Sequence, residues 1–140
     1  MKVPILLVIL FLVFAQAAAY TQPGTKNMIL RPTSATSGEE MYLSYCADCH
    51  GRDGTGHGPK ARANKTRATD LTILTRSSHG KFPAELVKET IRGDVQVVAH
   101  GAKDMPAWGL LFTYVGGGSQ SEVELRIHHL TEYIRAMQVK

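Results

Sequence analysis

The sequence predicts an all-α fold. Helix-opening signals precede several of its apolar stretches. The longest of these, Val123, Ile127, Leu130, Ile134 and Met137, advances in steps of 4, 3, 4 and 3, one continuous stripe on a helix. No strong strand pattern flanks Cys46 and Cys49, the two cysteines of the chain. A length of 140 residues suits one domain.

The chain opens Met1-Lys2-Val3-Pro4, followed by ten apolar residues from Ile5 to Phe14 and then Ala15-Gln16-Ala17-Ala18-Ala19. A positive start, a short apolar middle and small residues make a secretory signal peptide over 1–19, with cleavage after Ala17 or Ala19. The competing reading is an uncleaved anchor, for which the apolar run is short, since a span needs roughly 20 residues. Tyr20 to Thr36, with Pro23, Gly24 and Pro32, reads as a linker or a strap on the domain, pinned by Met28, Ile29 and Leu30. The domain proper is expected over 37–140. Ser37-Gly38-Glu39-Glu40 is a capping box, so a first helix is expected from about Gly38 to Cys46, with Met41, Tyr42 and Tyr45 inward. Gly38 near its start is either a bland terminal glycine or the mark of a close helix crossing.

Cys46-Ala47-Asp48-Cys49-His50 is the run around which the chain is organised. Two thiols three positions apart on one helical turn can add to the two vinyl groups of one porphyrin. The histidine after them is then held under the iron, so Cys-x-x-Cys-His reads as a c-type haem attachment motif. A structural zinc site needs four protein ligands, and the chain has no second cysteine pair. A thioredoxin-like redox pair wants a βαβ setting. Export without a disulfide framework fits as well, because haem would use both thiols.

Gly51-Arg52-Asp53-Gly54-Thr55-Gly56-His57-Gly58-Pro59 follows, a loop whose backbone must approach something closely, with a haem edge the obvious candidate. A ligating histidine usually donates its second ring N–H to a carbonyl or carboxylate; the Pro59 carbonyl is the expected acceptor for His50. His57 is expected to be exposed. Lys60, Arg62, Lys65 and Arg67 form a basic run, either a solvated face or a docking patch for an acidic protein surface. The formal charge of +4 is modest, and nothing in it points to nucleic acid.

Asp70 can cap a short helix that turns Leu71 and Leu74 inward. Pro83 suits a first helical position, and the helix it opens should run to Arg92 and stop at Gly93. Its inward face is read from Leu86 with Thr90 and Val87 with Ile91. Val95, Val97 and Val98 suggest a brief extended piece. Leu110 to Val115 is either a flap or a short helix before Gly116-Gly117-Gly118. The last helix should begin after Ser119 or Ser121, with His128 and His129 facing solvent.

Met105-Pro106-Ala107-Trp108-Gly109 is the second key stretch. A mid-chain Met is usually core filler, but Pro106 and the bracketing glycines put Met105 on a shaped loop. It lies far enough from His50 for the chain to cross to the other haem face. A thioether there would complete a His/Met iron and raise its potential. Trp108 would pack on the haem or shield its propionates. Rivals for the sixth position are His100, His79, Met28, Met41 and Met137.

With these stretches together, the chain resembles the class I soluble monohaem c-type cytochromes of bacteria. The resemblance runs from about Ser37 to Met137. It is strongest at Cys46-Ala47-Asp48-Cys49-His50-Gly51 and at Met105-Pro106-Ala107-Trp108-Gly109, and Gly54 to Pro59 and Ile91-Arg92-Gly93 are also similar. It implies a cytochrome c-like domain in which the first and last helices cross, here at Gly38 and Tyr42 against Leu130 and Tyr133. It also implies one haem c on Cys46 and Cys49, with His50 and Met105 as iron ligands. The expected function is one-electron transfer, with no bond made in a small-molecule substrate. The chain would be a periplasmic monomer or small oligomer, and its partners redox proteins, either membrane or periplasmic oxidoreductases. Two other readings stand beside it: a haem subunit of a larger oxidoreductase, and a peroxidase-like or gas-sensing protein with a labile sixth ligand, which Met105 argues against.

Overall fold

The structure is a computed structural model that describes residues 30–63, 68–95, 105–115 and 117–139. The signal segment, Met28, Ile29, Lys65, Arg67, Val97, Val98 and His100 lie outside the described residues. Among the described residues the secondary structure is helical throughout, as expected of an all-α domain.

A single helical rod carries the cysteine run. It consists of α1 (Gly38–Met41), a π-helical turn (Tyr42–Cys46) and α2 (Ala47–His50). Then come α3 (Pro59–Ala63), a 3-10 turn (Leu71–Ile73) leading into α4 (Leu74–Ser77), α5 (Ala84–Arg92), α6 (Trp108–Val115) and α7 (Gln120–Ala136). The rod continues past the expected end at Cys46, and the π turn explains how. Ala47 N–H donates to Tyr42 O, five residues back. Tyr42 and Ala47 therefore both face the core, a spacing that 3.6 residues per turn would not give.

The capping box forms by half. Glu40 N–H donates to Ser37 Oγ at 3.2 Å, but the Glu40 carboxylate accepts from Ser34 N–H at 3.1 Å instead of closing on Ser37. The glutamate thereby holds the segment that precedes the helix. That segment is a strap over the rod and α7. Tyr45 donates its hydroxyl to Arg31 O at 2.5 Å, and Leu30 packs on the core. Arg126, only 3 % exposed, donates to Thr33 Oγ1 at 3.0 Å and Thr33 O at 3.1 Å, and pairs with Glu122 at 2.7 Å.

The first and last helices cross at Gly38. A Cβ there would lie 2.3 Å from His129 O and 2.8 Å from Tyr133 Cβ, so only glycine lets the backbones approach this closely. Beside the crossing the Tyr42 and Tyr133 rings pack at a tilt of 43°, their centroids 5.3 Å apart. Val123, Ile127, Leu130 and Ile134 are buried along α7, as the stripe requires. Each such side chain contributes roughly 1.5–3 kcal/mol. α5 and α6 pack on α7 and on each other.

Three local readings change. Pro83 is the residue before α5 (φ −84°, ψ 65°), not its first helical position. Val87 and Ile91 are buried on α5, whereas Leu86 is exposed, because one face of so short a helix suffices to cover α7. α7 begins after Ser119, one of its two expected starts, but the Ser119/Glu122 capping box does not close: the Ser119 hydroxyl meets that of Ser121, and Glu122 pairs with Arg126. Leu110 to Val115 resolves as helix, the second of its two readings. Gly93 stops α5 in the left-handed region, as expected.

Candidate functional site

Cys46 and Cys49 are half-buried and not joined to each other. Burial, and then the neighbouring Cys49, push the Cys46 thiol up to about 12. A redox-active cysteine pair needs a lowered thiol pKa, so the raised value opposes the thioredoxin-like reading. Among the described residues, no three His, Cys, Asp or Glu side chains gather as a metal site of their own would require.

His50 closes α2 and is 8 % exposed. Its Nδ1 lies 3.0 Å from Thr69 O. A carbonyl only accepts, so Nδ1 carries the proton and Nε2 the lone pair, the form an iron ligand needs. The acceptor is Thr69, not Pro59. Pro59 is exposed and starts α3, where its carbonyl is part of the helix. Ten residues further on, the chain returns past the glycine loop and presents Thr69 to the ring.

The glycines make that return possible, and what they approach is the chain itself. Gly56 N–H donates to His50 O at 2.7 Å and Gly58 N–H to Cys49 O at 3.0 Å. A Cβ on Gly58 would lie 2.4 Å from Asp48 O, and one on Gly56 2.3 Å from Ala68 O. The loop is thus folded against the carbonyls of the cysteine run on one side and the Thr69 segment on the other. Tyr42, fully buried, adds a bond from within the rod: its hydroxyl donates to Gly51 O at 2.7 Å, just past His50.

On the other stretch, Met105 is half-buried and packs against the core. Trp108 opens α6 and is buried, its ring 5.2 Å from Tyr45 and 5.8 Å from Phe112. The stretch docks on the end of α5. A Cβ on Gly93 would lie 2.5 Å from Ala107 Cβ, and one on Gly109 2.7 Å from Arg92 O.

Of the rivals to Met105, Met41 is fully buried in the core beside the Arg126 guanidinium, and Met137 packs against Gly54. His79 is an exposed turn residue with φ 55°. Met28 and His100 lie outside the described residues. His57 is exposed, as expected; so is His128, whereas His129 is half-buried at the crossing. Lys60 and Arg62 of the basic run are exposed on α3. Thr69 and Tyr42 were not legible as site residues: a backbone acceptor leaves no signature in side-chain chemistry, and a buried Tyr reads as core.

Unjoined neighbouring thiols on one turn, followed by a histidine in the ligating tautomer, fit a covalently attached haem. Among the described residues no helix is long and apolar enough to cross a membrane. No curated protein and no solved structure was found to match the chain. Residues 33–114, which contain both the cysteine run and Met105 to Trp108, match the family described as cytochrome c oxidase, cbb3-type, subunit III. The chain belongs to this family, a c-type cytochrome domain that holds haem c covalently, here at Cys46 and Cys49, and serves in electron transfer.

Proposed function

We propose that this domain is an exported one-electron carrier whose iron takes His50 on the proximal side and Met105 on the distal side. The His50–Thr69 hydrogen bond carries the proposal, since it sets the ring in the ligating form directly behind the two attachment cysteines. The haem supplies a one-electron Fe(III)/Fe(II) couple. The protein's part is to keep both ligands in place in either state, so that little rearranges when an electron arrives or leaves. Thr69 holds the His50 ring, and Arg92 and Gly93 hold the segment that carries Met105. Trp108 backs that segment through Tyr45 and Phe112. The signal segment read from the sequence and the attachment chemistry support export to the periplasm. The expected partners are redox proteins.

The holoprotein tests this directly. Its ferric spectrum should show the red band of sulfur ligation, and its ferrous form should ignore carbon monoxide. Met105→Ala should keep covalent haem, lose that band, bind carbon monoxide and show a lower potential. Unchanged ligation in this variant would remove Met105 from the iron.

The family description favours a second reading, in which the domain is the haem subunit of a larger oxidase. Copurification with a larger oxidoreductase from native membranes would select it; a soluble, monomeric protein in the same extract would select the free carrier.

A further inference from the structure

We propose that Gln138 is a positioning residue for the proximal ligand, acting through Thr69; this rests on the reading of His50 as that ligand. Gln138 follows α7, and its side chain makes three hydrogen bonds. Its Nε2 donates to Ile134 O at 2.9 Å, which merely closes the last turn of the helix. The other two bonds leave the helix. Nε2 also donates to Leu71 O at 2.6 Å, and Oε1 accepts from Thr75 N–H at 2.8 Å, spanning 67 and 63 residues of sequence. A helix-capping role needs only the first.

The two distant bonds bear on the histidine because of where Leu71 sits. Its N–H donates to Gly54 O at 2.7 Å, in the loop that leaves His50. Its carbonyl is the one Gln138 holds. Both backbone groups of Leu71 are thus tied, one to the proximal loop and one to the end of α7. Thr69, whose carbonyl accepts from His50 Nδ1, lies two residues before. Val139 N–H donates to Thr72 O at 2.9 Å, and the Met137 methyl occupies the space a Cβ on Gly54 would need, 2.7 Å away. Residues 137–139 therefore form a brace that clamps the 71–75 segment onto the glycine loop. The clamp fixes the place of the Thr69 carbonyl. Without it, that carbonyl is free to draw back from the ring. A weaker Nδ1–H···O bond makes imidazole a poorer donor to iron, which favours the reduced state.

The test uses the holoprotein. Gln138→Leu keeps the volume and removes all three bonds; Gln138→Glu keeps an acceptor for Thr75 but loses the donors to Leu71 and Ile134. Both should raise the reduction potential and speed solvent exchange of the His50 Nδ1–H seen by NMR, while the sulfur band of the ferric spectrum stays. Val123→Ala, which destabilises α7 at its other end, is the control and should move neither readout. An unchanged potential and exchange rate in both Gln138 variants would overturn the proposal, as would shifts no larger than those of Val123→Ala at equal loss of thermal stability. Failure of the underlying reading looks different: the His50 ring protons of the unmutated ferric protein would then show no paramagnetic shift.

Discussion

The two stretches that meet the iron in the proposed site are held by different forces. The His50 side is held by hydrogen bonds: Thr69 O accepts from the ring, the Tyr42 hydroxyl donates to Gly51 O, and the Gly56 and Gly58 N–H groups fold the loop back onto His50 O and Cys49 O. The Met105 side is docked by contact, with Ala107 against Gly93 and Gly109 against Arg92. The difference matters for tolerance. A hydrogen bond to a backbone carbonyl survives a change of side chain at the acceptor, because the carbonyl stays. A contact that exists only because a residue lacks a side chain survives no substitution there. The acceptor at Thr69 should therefore tolerate a change of side chain, whereas Gly93 and Gly109 on the distal side, like Gly56 and Gly58 on the proximal, should not.

The largest effect is expected at the distal dock. Gly93 has φ 99°, and a Cβ there would meet Ala107 Cβ at 2.5 Å. Gly93→Val adds backbone strain to overpacking, together about 2–6 kcal/mol. The cheapest escape is for the 105–109 segment to lift from α5, taking Met105 with it. Chemical denaturation should show the loss of stability, and carbon monoxide should bind a ferrous iron that excludes it in the unmutated protein. If the sulfur band persists and carbon monoxide is still excluded, the contact does not hold the ligand.

A smaller effect is expected from one strut of the proximal side. Tyr42→Phe removes the bond to Gly51 O and should cost about 1 kcal/mol at neutral pH. It also has a signature in pH. Burial raises the Tyr42 hydroxyl well above its ordinary value of 10.0. The folded protein keeps this proton where the unfolded chain gives it up. Stability is therefore intact below about pH 10 and falls as the pH rises further. The Tyr133 hydroxyl, also raised by burial, adds to the same fall. Tyr42→Phe should flatten the alkaline slope without abolishing it. An unmodified slope would mean that Tyr42 does not hold its proton in the fold. In both variants the His/Met spectrum separates the two sides: Tyr42→Phe should keep it and Gly93→Val should lose it.

Much of this contrast was legible in the sequence, but unevenly. The cysteine run could be read because thioether attachment demands three particular side chains in fixed order. The crossing at Gly38 could be read only through the family resemblance, because a glycine near a helix start is by itself equally a bland terminal residue. The π turn could not: nothing in Tyr42-Leu43-Ser44-Tyr45-Cys46 departs from an ordinary helical composition, and it shows only in the burial of Tyr42 with Ala47. The histidine's acceptor differs from the sequence expectation for a related reason. Pro59 was the conspicuous residue near the loop, but any residue offers a carbonyl, and which one reaches the ring depends on how the glycines turn the chain. Gln138 was invisible because its partners lie more than sixty residues away.

Thr69 allows the sharpest separation of backbone from side chain, with the smallest effect of all. Its carbonyl accepts from His50, yet its own hydroxyl is buried and has no hydrogen-bond partner among the described residues. Thr69→Val keeps the carbonyl and the branched shape while replacing that hydroxyl with a methyl group. Burying an unsatisfied hydroxyl costs about 1–3 kcal/mol, so the variant should be as stable as the unmutated protein or gain up to about 1 kcal/mol. Its potential and the exchange of the His50 Nδ1–H should not move, in contrast to the Gln138 variants, which keep the threonine but should let its carbonyl draw back. A potential that shifts in Thr69→Val would show that the hydroxyl, not the carbonyl, is what the proximal side uses. The division between hydrogen-bonded and docked sides would then have to be redrawn around a side chain.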